Sequence, residues 1–152
     1  MAEQAAAATA GLGVSMDIEE TLSSDAVWAV LELKVKEPHR FLPVKDVLTR
    51  PSDDGAGTYR EMTMSFSGAR MVENIYTTGA PLYEVRFVVV NDENEHVNII
   101  TTDAATGRRK LEFYKRVAAS KERVPWAAPA AVALGGIKAV LEMARSGLPA
   151  SA

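Results

Sequence analysis

Two charged residues, Arg60 and Glu73, fall where the residue pattern asks for a buried face. The runs 58–66 and 69–77 read as strands, with Ser67-Gly68 as a two-residue turn between them. Counting back from that turn sets Phe66 opposite Ala69, Met64 opposite Met71 and Met62 opposite Glu73. Directly opposed residues share a face, so Arg60 and Glu73 join Met62, Met64, Met71 and Ile75 on the apolar side, as diagonal neighbours. A charge there must be paired or wet, because burying it alone is too costly. One reading is a structural ion pair, or Arg60 reaching out from the sheet edge. The other sets the pair on the floor of a cavity, where it holds a polar group of a ligand. The planar fork of Arg60 suits a carboxylate, phenolate or carbonyl oxygen, and Glu73 is placed to give or take a proton. Both readings require Glu73 to be more buried than Glu61.

The same counting through a loop at 78–81 sets Thr77 opposite Leu82 and Glu73 opposite Arg86, which makes Arg86 a third candidate. It also sends Val88, Val90, Val97, Ile99, Leu111 and Phe113 inward, and leaves Tyr83, Val85, Phe87 and Val89 outside. That exterior is too apolar. Either a bulge within 78–84 flips the register, or the strand packs on a partner subunit. The bulge is preferred, which makes Arg86 a weaker candidate than Arg60 or Glu73. Met62, Met64 and Met71 bring flexible thioethers that suit an adaptable pocket or ordinary core packing. His96 follows a polar turn and is expected to be exposed.

The elements that must position these residues follow from periodicity. Val14, Met16 and Ile18 alternate with polar residues, as in a half-buried strand. Ser23 and Ser24 supply N-cap chemistry before Asp25, and Val27, Trp28, Leu31 and Val35 recur at helical spacing over 24–36. Pro38 closes that helix, and 39–43 is one turn that delivers Phe41 and Leu42 to the core. Strands follow at 44–49, 58–66, 69–77, 82–90, 95–102 and 108–117, joined by loops short enough to force antiparallel pairing. Residues 121–129 look irregular. A helix over 130–146 buries Ala133, Ile137, Val140, Leu141 and Ala144. Gly135-Gly136 in it implies a close helix–sheet contact, a late helix start or a flexible gate. Residues 1–13 read as a disordered Ala-rich tail, 14–147 as one domain and 148–152 as a second tail.

Composition excludes several classes of function. The chain has 152 residues, with 17 Lys+Arg against 20 Asp+Glu, for a net charge of −3. A weakly acidic chain is a poor general nucleic-acid binder. With no cysteine and two histidines, thiolate chemistry and a multi-histidine zinc site fall away. Gly11-Leu12-Gly13 lacks the strand and helix of a dinucleotide motif, and no P-loop or nucleophile elbow occurs. No cofactor or metal is implied. No run is apolar enough to span a bilayer, and a cytoplasmic protein is the default.

Several segments carry a resemblance. Asp25-Ala26-Val27-Trp28 opens the first helix, Pro38-His39-Arg40-Phe41-Leu42-Pro43 follows it, and Tyr59-Arg60-Glu61-Met62-Thr63-Met64 and Arg70-Met71-Val72-Glu73-Asn74 lie in successive strands. Together with the element order, they resemble the START / birch-pollen-allergen / polyketide-cyclase superfamily, and within it the small AtaL-like group, over about 14–145. The resemblance implies an α+β helix-grip fold: a curved antiparallel sheet of six to seven strands on a long C-terminal helix, with an apolar cavity between them. It implies no single activity. The expected function is binding of a small hydrophobic or aromatic molecule by Arg60, Glu73, Arg86, Met62, Met64, Met71, Phe113, Ile137 and Leu141. The alternative is a small cyclase, aromatase or isomerase in which Glu73 moves a proton and Arg60 stabilises an oxyanion. Neither nucleic acid nor a membrane is expected as a partner; a homodimer is the third possibility.

Overall fold

Alternation at Val14, Met16 and Ile18 does produce a strand, and it forms one edge of a seven-stranded antiparallel sheet. The structure, a computed structural model, describes residues 9–147. In chain order the elements are β1 (Thr9–Gly11), β2 (Val14–Ile18), α1 (Ser24–Lys36), a 3-10 turn (Pro38–Arg40), β3 (Val44–Pro51) and β4 (Thr58–Met64). Then come β5 (Arg70–Thr78), β6 (Glu84–Val89), β7 (Asn94–Thr102), β8 (Arg109–Val117), β9 (Trp126–Pro129) and α2 (Ala130–Ser146). The sheet order is β2-β8-β7-β6-β5-β4-β3, and β1 pairs with β9 as a separate ribbon. Helix α2 packs on α1, β2 and β8. This is the helix-grip fold. Among the described residues, no helix is long and apolar enough to cross a membrane.

Local chemistry sets the helix ends. The Ser23 hydroxyl accepts a hydrogen bond from the Ala26 N–H at 3.0 Å, and Asp25 lies in the positive first turn of α1. Leu33 O still receives the Glu37 N–H at 2.7 Å. Lys34 O would next need an N–H from residue 38, but Pro38 has none to give. The buried stripe of α1, Val27, Val30, Leu31 and Val35, meets Ile137, Val140 and Leu141 of α2 in one core cluster. Burying each such side chain fully contributes about 1.5–3 kcal/mol.

Three expectations need correction. The β4–β5 connection is 65–69, not 67–68. Met64 N–H bonds Ala69 O, Ser65 N–H is drawn to Pro43 O, and Gly68 takes a positive φ of 73°. The register therefore slips by two, and Arg60 sits directly opposite Glu73. Phe66 is left 77% exposed. The β5–β6 loop is 79–83, with Tyr83 at φ 50°. Thr77 pairs with Val85, so Glu73 opposes Val89 rather than Arg86. That odd shift turns the strand over: Val85 and Phe87 point into the core, and Arg86, Val88, Val97 and Ile99 share the opposite face. Finally, Thr9–Gly11 is a strand paired with Trp126–Pro129, although the first lies in the expected tail and the second in the expected irregular segment. Residues 1–8 and the expected tail at 148–152 lie outside the described residues.

Helix α2 runs through Gly135-Gly136 unbroken. A Cβ on Gly136 would stand 3.4 Å from the Phe113 ring, whereas one on Gly135 meets nothing. Gly136 thus serves a close helix–sheet contact, and Gly135 only lowers helix propensity. We predict that Gly135→Ala raises unfolding free energy by about 0.5–1 kcal/mol in denaturant titration. Gly57→Ala, whose Cβ would lie 2.3 Å from Ile75 O, lowers it.

Candidate functional site

Between the sheet and α2 lies a cavity of about 220 Å³. Its apolar wall is built from Met62 and Met64 of β4, Met71 of β5, Phe87 of β6 and Phe113 of β8. Phe41 and Leu42 follow the 3-10 turn, Trp126 and Ala128 come from β9, and Val132, Ala133 and Gly136 from α2. Arg60, Glu73, Lys34, His96, Asn98 and Tyr114 add polar atoms. An apolar cavity of about 150 Å³ is enough to hold benzene, so this one has room for a small aromatic molecule.

The charged pair on the wall is strongly buried, Arg60 at 2% and Glu73 at 3% exposure. Arg60 Nε donates to Glu73 Oε1 at 3.1 Å, and Nη2 donates to the same oxygen. Its Nη1 donates to Lys34 O at 3.1 Å and Val35 O at 3.0 Å. The guanidinium therefore supplies the hydrogen that Pro38 denies the end of α1. Among the described residues, Glu73 Oε2 accepts no hydrogen bond. Glu73 is more buried than Glu61, as both readings of the pair required.

Lys34 sits three residues after Leu31 and seven after Val27, on the apolar stripe of α1. Its Nζ donates to Asn98 Oδ1 at 2.8 Å and stands 4.4 Å from the Phe113 ring centre and 5.3 Å from that of Phe87. Burial, then the Arg60 charge, lowers its pKa from 10.5 to about 7, against the opposing pull of Glu73. His96 packs 5.5 Å from the Trp126 ring. Burial first, then the Lys115 charge, lowers its pKa to about 4, so the imidazole is neutral near pH 7.

Six expected residues line the cavity together: Arg60, Glu73, Met62, Met64, Met71 and Phe113. Three do not. Arg86 lies on the other face, its Nη1 3.0 Å from the buried Glu95 carboxylate and its guanidinium 4.8 Å from the Tyr76 ring. The turned-over register put it there. Ile137 and Leu141 are sealed within the α1–α2 core instead of reaching the cavity. His96, expected to be exposed, is half-buried and faces inward. It was missed, with Asn98 and Phe87, because all three depend on the β5–β6 register. The signal for Lys34 was its place on a hydrophobic stripe.

No protein-family model matches the chain, and comparison with curated proteins finds no significant relative. Solved structures do resemble it. An uncharacterised protein from Bacillus thuringiensis aligns with a TM-score of 0.55 at 16% identity, covering 88% of this chain and 97% of that one. StfQ, a di-domain aromatase/cyclase of the steffimycin biosynthetic pathway, aligns at 0.56 and 10% identity. That match covers 95% of this chain and 53% of StfQ, so the chain spans about half of the di-domain protein. A Chromobacterium violaceum protein aligns at 0.50 and 12% identity, over 89% and 95% of the two chains. At these identities the likeness is one of fold.

Two predictions follow from the charged groups. Arg60→Met leaves Glu73 buried without its cation and destabilises by about 3–5 kcal/mol; adding Glu73→Leu recovers part of this in denaturant titration. Folding lowers the Lys34 pKa, so above about pH 7 the unfolded chain holds a proton that the folded chain lacks, and stability rises with pH up to the ordinary lysine value. Below about pH 7 both states are protonated and this dependence vanishes. Between about pH 7.5 and 9.5, the wild-type slope should exceed that of Lys34→Met by about 1.4 kcal/mol per pH unit.

Proposed function

We propose that the chain binds a small, mainly apolar molecule, the size of one or two rings, in the cavity between the sheet and α2. The observation that carries this is the apolar cavity of about 220 Å³, with polar groups that are joined by hydrogen bonds among themselves. Lys34 meets Asn98, and Arg60 meets both Glu73 and the Lys34 carbonyl. Apolar burial supplies affinity at about 25 cal/mol per Å², and the polar cluster orients an oxygen-bearing end of the ligand. Three methionines let the wall adapt. The same reading places the chain in the START / birch-pollen-allergen / polyketide-cyclase superfamily, near the AtaL-like group. The residues that carry that resemblance and the likeness in fold to StfQ support it.

A second reading is a cyclase-, aromatase- or isomerase-type enzyme that uses Glu73 and Arg60. The free Oε2 of Glu73 favours it. The commitment of Arg60 Nε, Nη1 and Nη2 to protein acceptors weighs against an oxyanion role for that residue, which leaves binding as the conclusion.

Native mass spectrometry of the protein purified under mild conditions from its own cells tests it. The expected result is a co-purified apolar molecule that is released when the protein is denatured. A wild-type protein that carries nothing, and whose melting temperature no aromatic probe raises, sinks the reading.

A further inference from the structure

We propose that Lys34 forms a Schiff base with an aldehyde or ketone group of the molecule that occupies the cavity, which makes that molecule an apolar carbonyl compound. The inference rests on the binding reading above, since the carbonyl must first enter the cavity.

The geometry around Nζ is that of a nucleophile rather than of an ion-pair partner. Lys34 is 8% exposed, and the hydrogen-bond partner of its Nζ is the neutral Asn98 side chain rather than a carboxylate. The carboxylate of the site, Glu73, is engaged by Arg60. The polar residues that line the cavity with Lys34 are Arg60 on β4, Glu73 on β5, His96 and Asn98 on β7 and Tyr114 on β8; the lining residues of α2 are Val132, Ala133 and Gly136. The cation Arg60 and two aromatic rings thus surround the amine. Desolvation beside another cation is a known way to activate a lysine amine. Asn98 Oδ1 accepts one N–H at 2.8 Å. A neutral amine held this way keeps its lone pair for a ring-sized ligand lying against Phe87 and Phe113.

With a pKa lowered to about 7 by burial and by the Arg60 charge, a large share of the Lys34 amines carries a lone pair at neutral pH. For an ordinary exposed lysine the fraction is under about one in a thousand. The reaction balances without a co-reactant. The Nζ lone pair attacks the carbonyl carbon and forms a C–N bond. The carbonyl oxygen then leaves as water, carrying both amine hydrogens, and a C=N bond remains. No electrons are gained or lost.

Trapping tests the inference. The protein is incubated at pH 7 with benzaldehyde and cyanoborohydride, then read by intact mass spectrometry and peptide mapping. The expected result is one benzyl group on Lys34, introduced at least about 100-fold faster than on exposed Lys45 or Lys138, and absent at this position in Lys34→Arg. The wild-type map alone decides the matter should that variant fail to fold. Benzyl alcohol, which has no carbonyl, reports binding through the melting temperature in parallel. An unmodified Lys34 in a protein that benzyl alcohol stabilises overturns the Schiff base and leaves the binding reading standing. An unmodified Lys34 with no stabilisation overturns both.

Discussion

One buried guanidinium joins the two layers of this protein. Arg60 stands in the sheet, and its donors reach Glu73 on the next strand and the Lys34 and Val35 carbonyls at the end of α1. Carbonyls at a helix C-terminus lack intrahelical partners and carry partial negative charge. Pro38 makes the shortage worse, because the residue that ends α1 cleanly cannot bond Lys34 O. Arg60 meets a whole negative charge on one side and a fractional one on the other. Since a Lys34 atom is among its acceptors, the same contact fixes how α1 is rotated. That rotation aims the Lys34 side chain at Asn98 and the cavity.

The polar corner therefore contains two basic groups and one acid. A buried site tolerates surplus charge poorly, and the group that can shed its proton most readily relieves it. Arginine cannot do so, and lysine can. Burial first, and then the Arg60 charge beside it, depress the Lys34 pKa, and burial likewise keeps the nearby His96 neutral.

Which parts of this could be read from residues alone depends on parity. Placing Arg60 and Glu73 on one inner face survives a wrong turn length because the slip was by two, and strand faces repeat every two residues. The β5–β6 slip was odd, so it exchanged Arg86 for Phe87 and hid His96 and Asn98. Loop composition at 78–83 carries no mark that separates four residues from five, whereas the apolar run Val85, Phe87 and Val89 carried one: it had to be covered. Helix limits were clear because Ser23, Pro38 and Gly147 act locally. The short strands Thr9–Gly11 and Trp126–Pro129 were not, since strands of three and four residues have too few side chains to show a period. Lys34 was passed over because its charge outweighed its position on the stripe.

That small ribbon has a consequence for traffic. Trp126 and Ala128 form part of the cavity wall, and the ladder partner of β9 is β1, apart from the ladders of the main sheet. Segments held by few hydrogen bonds open at a fraction of the global unfolding free energy. One wall of the hollow thus belongs to a two-stranded ribbon, while the others come from the seven-stranded sheet, the turn after α1 and α2. Loosening of Thr9–Gly11, a segment far in sequence from the other lining residues, would therefore expose this wall before the main sheet gives way.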